Sequence, residues 1–271
     1  VGTMGSKIDY HKIYQTRFAL LRQAFNQSPY AWGEYSDAFQ NFCEENRAWL
    51  DDYCLYSALK DHFEGISFME WPETIRLRHK ETLNHLVPVL EKDINFYAFI
   101  QYYFSKQWLK LKAYANSKSI GIIGDLPIYV ALDSADTWAN PDLFLLDKKG
   151  QPLEVAGCPP DAFSEDGQLW GNPLYDWPYH QRSHFGWWKA RLEKAFELYD
   201  VLRIDHFRGF DAYWSVPYGE KTAKNGQWNP GPGMSFIEFL KENFPDQKII
   251  AEDLGFLTPS VRNLLKKSGF P

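Results

Sequence analysis

The sequence predicts an α/β protein in two parts, a largely helical segment followed by alternating strands and helices. Residues 8–118 show apolar side chains at spacings of three and four, which is typical of helices. From Ser119 onward, short apolar runs alternate with loops and helical patterns, which indicates parallel strands joined by helical crossovers. We therefore predict two domains, residues 1–118 and residues 119–271.

The composition is that of an ordinary folded protein and argues against two classes of partner. Of the 271 residues, 45% are hydrophobic and 24% are charged, with a formal net charge of -6. That charge gives no electrostatic reason to expect nucleic acid or an anionic membrane, and no run of 18 apolar residues predicts a membrane span. Aromatic residues make up 17% of the chain, which slightly favours a carbohydrate ligand, because exposed rings bind the apolar faces of sugars.

The cysteines and the first residues predict where the protein works. Cys43, Cys54 and Cys158 are odd in number and lack Cys-x-x-Cys spacing, so we expect a reducing cytoplasm, no disulfide framework and no zinc site. The chain begins V-G-T-M-G-S-K, without a secretory leader. We expect this start to be a cloning remnant or a cut inside a longer chain.

The first part is expected to contain several helices. Pro29 should end the first helix, Ser36 should cap the second, and Trp71-Pro72 should begin another. A long helix ending near Ser117 is apolar around much of its circumference and is therefore expected to be buried. One face of the first helix is formed by Tyr14, Phe18, Leu21 and Phe25.

Three strands in the second part each end on an acidic residue. The first ends in Asp125, while Val201–Ile204 is followed by Asp205 and Lys248–Ala251 is followed by Glu252. In a (β/α)8 barrel the carboxyl ends of all strands open on one face, where the chemistry is done. The fold class is therefore predicted as part of a (β/α)8 TIM barrel with a largely helical inserted subdomain, of which three strands are clear.

Other patterns of the second part predict a hairpin and two loops. Leu143–Asp147 and Pro152–Val155 flank a Lys-Lys-Gly turn and predict a β-hairpin. Residues 157–178 and 211–233 are dense in Gly, Pro and Trp. They predict long ordered loops, which are usually functional in a compact domain.

The end of the central strand combines a cation, a carboxylate and an imidazole. Arg203 and Asp205 point to the same face because side chains alternate along a strand. A guanidinium beside a carboxylate keeps the carboxylate ionised and oriented. His206 adds hydrogen-bond donors next to the anion. Taken alone, these residues also fit a structural ion pair, but three acids at three strand ends favour a functional site.

Such acids suit either a divalent cation or glycoside chemistry. No histidine spacing indicates zinc, and we expect no metal. Glycoside cleavage needs two carboxyl groups in opposite protonation states. Asp205, beside Arg203, would stay ionised and attack the anomeric carbon, whereas Glu252, near another carboxylate, would donate a proton to the leaving oxygen. Neighbouring barrel strands can bring such groups to about 5–5.5 Å, the separation of the retaining mechanism.

Five motifs follow one another in the sequence: G-D-L-P-I-Y-V-A, P-P-D-A-F-S-E-D-G-Q-L-W-G-N-P-L-Y, R-I-D-H-F-R-G-F, W-N-P-G-P-G and I-I-A-E-D-L-G. Together they closely resemble the 4-alpha-glucanotransferases, called amylomaltases in bacteria and disproportionating enzymes in plants. The resemblance is strongest from Ile120 to Pro271. It implies transfer of alpha-1,4-glucan segments between maltodextrins, or to glucose, through a covalent glycosyl-enzyme, without a cofactor. It also implies a location in the cytoplasm, or in the plastid stroma of a plant.

The resemblance implies roles for individual residues. Asp205 would be the nucleophile and Glu252 the general acid/base, with Arg203 orienting the nucleophile. His206 would contact the sugar at the cleavage point, and Asp125 would support Arg203 or the bound sugar. Four residues would lie in the family's mobile loop over the active site and help to hold the glucan: Asp161, Phe163, Trp170 and Asn172.

Two departures from the family pattern leave alternatives open. Ala162 stands where a Tyr is common, so one stacking platform is expected to be missing. The family continues beyond Pro271 to a later strand whose His-Asp pair supplies a third essential carboxylate, so we expect this sequence to be the central part of a longer chain. The alternative functions are those of a glucan hydrolase, in which water replaces the acceptor, and of a non-catalytic glucan-binding fragment.

Overall fold

The computed structural model describes residues 8–255 and 257–271. The predicted start at residues 1–7 lies outside the described residues. By its internal contacts the chain divides into two units: the described residues up to Ile66 with Lys80–Gln107, and Ser67–His79 with Trp108–Pro271. The boundaries of these units differ from the predicted domain boundary between residues 118 and 119. The predicted division into two domains stays a prediction.

The helices and strands alternate only in the second half of the chain. The α-helices are α1 (Tyr10–Asn26), α2 (Asp37–Glu45), α3 (Arg47–His62), α4 (Glu73–Arg76), α5 (Lys80–Ser117), α6 (Ala135–Ala139), α7 (Trp177–Arg182), α8 (Gly186–Leu198), α9 (Met234–Asn243) and α10 (Pro259–Ser268). The strands are β1 (Ile123–Leu126), β2 (Glu154–Cys158), β3 (Gln168–Pro173), β4 (Val201–Ile204), β5 (Ala212–Pro217), β6 (Gln227–Pro230) and β7 (Ile249–Ala251). None of the helices in the described part of the chain is both long and apolar enough to cross a bilayer.

The first unit has an aromatic core. Phe25 is fully buried, and its ring packs edge-on against Phe96 and Phe99, with centroid distances of 5.6 and 5.4 Å. The predicted apolar face of α1 is correct at Phe25 but not along the whole helix. Phe18 and Leu21 are 39% and 38% exposed, and the side chain of Tyr14 lies outside what the structure describes.

The predicted helix boundaries of the first part are confirmed. A short 3-10 turn begins at Pro29, directly after α1, and Ser36 accepts a hydrogen bond from the backbone N–H of Phe39 at the start of α2. Burial along α5 ends sooner than predicted. Phe104 and Leu111 are 52% and 53% exposed, because the apolar residues near its carboxyl end are interleaved with lysines and face more than one side.

The predicted parallel strands are confirmed and form a three-stranded sheet in the order β1-β4-β7. β4 is central, with Leu202 and Ile204 fully buried. The register places Arg203 beside Asp125 on one side and beside Ile250 on the other. The α/β class is thus confirmed, and the carboxyl ends of all three strands lie on one edge of the sheet.

A second, antiparallel sheet, in the order β3-β2-β5-β6, runs through both segments that the sequence predicts to be loops. That prediction is wrong for β3, within residues 157–178, and for β5 and β6, within residues 211–233. Glycine here permits close backbone approach within the sheet: a Cβ on Gly157 would lie 2.6 Å from the carbonyl oxygen of Gln168 on β3. The glycine-rich composition of these segments therefore led to the prediction of loops where the structure has strands.

The predicted hairpin between Leu143 and Val155 is only partly formed. Asp147 accepts hydrogen bonds from the backbone N–H groups of Lys149 and Gln151, at 2.8 and 2.9 Å, which makes the turn. Beyond it, the two arms share an isolated bridge between Leu146 and Pro152. The second arm instead continues into β2 and pairs with β3 and β5.

One prediction concerns the packing under β1. A Cβ on Gly124 would overlap the ring of Tyr199, which itself packs edge-on against Trp108 at 5.8 Å. We expect Gly124→Ala to lower the free energy of unfolding by about 1–3 kcal/mol, because overpacking forces neighbours to shift. Gly186→Ala is the matched control, since nothing lies within 4 Å of its Cβ position. Denaturant unfolding measures both, and equal stability of the two variants would contradict the packing described here.

Candidate active site

One guanidinium connects the acidic residues at the ends of the three parallel strands. Arg203 Nη1 lies 2.6 Å from Asp125 Oδ1, and Arg203 Nη2 lies 3.0 Å from Asp205 Oδ1. The same Nη2 lies 3.7 Å from Glu252 Oε2. The structure thus brings together the three acids that the sequence predicts at one edge. The ion pairs form because Arg203 occupies the central strand, with an acid on each neighbouring strand.

A tight turn after β4 fixes the carboxylate of Glu252. His206 adopts a left-handed conformation, with φ 54°, and leads into a 3-10 turn, Phe207–Phe210. Its backbone N–H donates a hydrogen bond to Glu252 Oε2 at 2.6 Å. A positive φ is uncommon for a residue other than glycine, and such strain often marks functional sites. Here it points a backbone donor across the sheet at Glu252.

The pKa of Asp205 is shifted in the direction opposite to the one that Arg203 alone would produce. Burial raises the pKa of Asp205, and the hydrogen bond with Glu252 and the charge of Glu252 raise it further, while Arg203 acts in the opposite direction. The sequence predicts that Arg203 dominates at Asp205. Instead, burial and the contact with Glu252, 47 positions later in the sequence, outweigh the effect of Arg203 on the pKa of Asp205. The pKa of Asp205 is therefore set by its burial and by the second carboxyl group that it contacts.

His206 lies beside this pair as a neutral side chain. Burial lowers its pKa to about 4, the charge of Arg208 lowers it as well, and Asp205 opposes them. A neutral imidazole carries one donor and one acceptor nitrogen. The ring is half-buried and meets the edge of Trp170, with centroids 4.9 Å apart and planes at 88°. His206 can therefore both donate and accept a hydrogen bond at a fixed position.

Of the four loop residues predicted to hold the glucan, Trp170 is the one whose ring contacts His206. It lies on β3 rather than in a loop and is 37% exposed. Besides contacting His206, its ring lies 6.3 Å from that of Tyr129, which follows β1. Tyr129 was not among the predicted site residues.

The other three predicted loop residues make local contacts. Asp161 accepts hydrogen bonds from the backbone N–H groups of Phe163 and Ser164, both at 2.8 Å, and so stabilises its own turn. The Phe163 side chain is 99% exposed. Asn172 donates to the carbonyl oxygen of Val130 at 2.8 Å and ties β3 to the segment after β1. Their predicted role in holding a glucan stays a prediction.

A cavity of about 230 Å³ opens on the Glu252 side of the cluster. Its wall includes residues of both sheets: Gln168, Trp170, His206, Arg208, Trp228 and Glu252. Asp205 does not line it. Gln168, Arg208 and Trp228 are not among the predicted site residues, although all three lie within the motifs that carry the family resemblance. Within residues 8–255 and 257–271, no group of three or more His, Cys, Asp or Glu side chains is placed to hold a metal ion.

Comparisons with known proteins agree with the geometry. The model of the 4-alpha-glucanotransferase family matches residues 3–271. The 4-alpha-glucanotransferase of Clostridium butyricum is 50% identical over 97% of this chain and 54% of its own length. The chloroplastic/amyloplastic 4-alpha-glucanotransferase of Solanum tuberosum is 41% identical over 98% of this chain and 46% of its own length.

A solved structure shares the fold across the whole chain. The amylomaltase from Streptococcus agalactiae, in complex with acarbose, superposes with a TM-score of 0.93 and 41% sequence identity. The match covers 100% of this chain and 54% of that one. The chain spans about half the length of the curated relatives it matches.

One prediction concerns the protonation of His206. Because its pKa is about 4 in the folded protein and 6.5 in the unfolded chain, the unfolded state binds more protons between these values. The free energy of unfolding should therefore fall as the pH falls from 6.5 towards 4. His180, which is fully buried and also has a pKa of about 4, should contribute in the same direction.

His206→Asn should remove the part of this pH dependence that belongs to His206 and leave the part that belongs to His180. Denaturant unfolding at several pH values measures both parts, and NMR titration of the imidazole Cε1–H signal reads His206 directly. A His206 signal that titrates near pH 6.5 in the native protein would show that the site does not hold the ring neutral.

Proposed function

This chain belongs to the 4-alpha-glucanotransferase family, and on that premise we propose that the protein transfers alpha-1,4-glucan segments from a maltodextrin to another glucan or to glucose. The observation that carries the proposal is the bridge that Arg203 makes between Asp125, Asp205 and Glu252 at three neighbouring strand ends. Two of these carboxyl groups, Asp205 and Glu252, follow neighbouring strands, and glycoside cleavage requires such a pair. In the ligand-free protein their hydrogen bond makes them closer than the predicted separation of about 5–5.5 Å.

In the first step, Asp205 attacks the anomeric carbon and forms a glycosyl ester, while Glu252 gives its proton to the leaving glycosidic oxygen. In the second step, Glu252 takes the proton from the acceptor hydroxyl as that oxygen attacks the anomeric carbon and releases Asp205. Before the first step, Glu252 must carry a proton and Asp205 must be ionised. Arg203 favours that distribution, because it stabilises the ionised form of Asp205.

The position of the cavity supports different positions for the two acids relative to the glycosidic bond that is cleaved. A general acid must lie beside the leaving oxygen, and the acceptor later occupies the same place. Glu252 lines the cavity and Asp205 does not, so the cavity suits the leaving group and then the acceptor. Trp170 and Trp228, 37% and 39% exposed, give it aromatic surfaces suited to sugar rings.

We extend the proposal to the fold. The parallel order β1-β4-β7, with α-helices in the connections, is compatible with a segment of a (β/α)8 barrel, with the helical first unit as an insertion. A location in the cytoplasm or the plastid stroma, and the absence of a nucleic-acid or membrane partner, stay predictions.

The first functional prediction concerns Asp205. In the protein expressed from its complete reading frame, Asp205→Asn should lower maltotriose disproportionation by at least about 10³-fold, because the amide cannot form the glycosyl ester. Asp246→Asn, an exposed carboxylate before β7, is the control and should stay active. Product analysis with maltotriose also separates transfer, which gives longer chains, from hydrolysis, which gives only shorter ones. Turnover close to that of the native protein would refute Asp205 as nucleophile.

The second functional prediction concerns Glu252. Glu252→Gln should slow transfer from maltodextrins by about 10²–10⁴-fold, but should slow the first step much less with glucosyl fluoride, whose leaving group needs no proton. The control is Glu242→Gln, an exposed residue on α9. Pre-steady-state release of fluoride measures the first step alone. If the rate of that step falls by the same factor with both donors, Glu252 binds the sugar without transferring a proton.

A further inference from the structure

The motif W-N-P-G-P-G places a tryptophan on the wall of the cavity that Glu252 also lines. Trp228 is the first residue of the motif, lies on β6 and is 39% exposed. The ion-pair network of Arg203 does not include Trp228, so the acid cluster does not explain its position. A large aromatic side chain that stays exposed in a concave site is suited to binding a ligand.

Two neighbours hold the Trp228 ring in one orientation. The guanidinium carbon of Arg208, a buried residue, lies 4.0 Å from the centroid of the ring, in the geometry of a cation–π contact. Trp214, the cross-strand partner on β5, meets the ring at a centroid distance of 5.3 Å with planes at 70°. The indole N–H of Trp214 donates to the carbonyl oxygen of Ala223 at 2.9 Å, which fixes this neighbour as well. The Trp228 ring is therefore pre-organised for a ligand.

The glycines of the motif bring the end of β6 close to the turn that follows β4. The backbone N–H of Gly231 donates to the carbonyl oxygen of Asp211, and that of Gly233 donates to Phe210, both at 2.8 Å. A Cβ on Gly231 would overlap the carbonyl oxygen of Phe210, so glycine is required for this approach. The backbone next to Trp228 is thus fixed to the turn.

The same turn fixes Glu252. His206, which leads into the turn, donates its backbone N–H to Glu252 at 2.6 Å, and Arg208 within the turn contacts the Trp228 ring. Because Trp228 and Glu252 line one cavity of about 230 Å³, a sugar bound against the ring would lie next to the acid. This volume is below the roughly 300–1,000 Å³ of most ligand pockets, so the cavity suits a short stretch of sugar rather than a long glucan.

Sugar binding at this place matters most in the second step of the proposed reaction. A sugar hydroxyl and water then compete for the same glycosyl ester, and water is far more abundant. Holding the acceptor beside the general base gives its hydroxyl a high effective concentration, and a bound sugar also excludes water from the cavity. A pre-organised aromatic surface next to Glu252 supplies both effects.

We propose that Trp228 is a specificity-determining residue that binds the acceptor sugar beside Glu252 and so favours transfer over hydrolysis. This inference rests on the proposed function and names the group that selects a sugar over water. In the second step the acceptor oxygen bonds to the anomeric carbon, the bond from that carbon to Asp205 breaks, and the acceptor proton moves to Glu252. Trp228 takes part in none of these changes, so its loss should alter which acceptor reacts.

The test uses glucosyl fluoride as donor and maltose as acceptor, with protein from the complete reading frame. Trp228→Leu removes the planar ring and keeps an apolar side chain, and Trp228→Phe keeps a smaller ring. In Trp228→Leu the maltose concentration for half-maximal transfer should rise at least about tenfold, with a larger share of hydrolysis. Pre-steady-state fluoride release should change by less than about twofold, because fluoride leaves without a sugar in the cavity. Trp228→Phe should lie between Trp228→Leu and the native protein.

The matched control is Trp32→Leu, which changes an exposed tryptophan of the first unit and should leave the maltose dependence unchanged. An unchanged maltose dependence in Trp228→Leu would overturn the proposal. A fall in fluoride release by the same factor as transfer would also overturn it, because that result indicates a general structural role.

A binding measurement separates this proposal from the proposed function. In the Asp205→Asn variant, which cannot form the glycosyl ester, the NMR signal of the Trp228 indole N–H is assigned by its loss when Trp228→Phe is added. Maltose should shift this signal to saturation. No shift at the highest maltose concentration used for transfer would overturn the proposal. If the native protein released no fluoride, the proposed function would fail, whereas a shifted signal would still support a sugar site at Trp228.

Discussion

The geometry of the candidate site depends on one ion-pair network, the one that Arg203 makes across three parallel strands. The network requires Arg203 on the central strand, in register with Asp125, and two residues before Asp205 so that both point to one face. It also requires β7 as the other neighbour of β4, so that Glu252 follows at the same edge. A change in strand order or a slip of one residue would separate the guanidinium from these carboxylates.

The contact between Asp205 and Glu252 imposes a second constraint. The contact raises the pKa of Asp205, because a nearby carboxylate disfavours the ionised form of its neighbour. Arg203 acts on Asp205 in the opposite direction and favours its ionised form from within the sheet.

The antiparallel sheet supplies the aromatic side of the site. β3 carries Trp170 and β6 carries Trp228, and the four-stranded order β3-β2-β5-β6 separates these strands by two others. Both rings nevertheless line one cavity, together with groups that follow β4 and β7. Rings held by a hydrogen-bonded sheet lose less freedom on binding a sugar than rings on a loose loop, so the sheet pre-organises this wall.

Features that depend on near neighbours in the chain could be predicted from the sequence. The Ser36 cap, the three parallel strands and the alternation of Arg203 with Asp205 follow from local hydrogen bonding and side-chain period, and the structure confirms them. Tertiary packing, in contrast, decided that glycine-rich segments pair as strands and that Trp170, but not Phe163, reaches His206. It also decided the direction of the pKa shift of Asp205, because burial and the contact with Glu252 arise from residues far apart in sequence, whose distance no local pattern encodes.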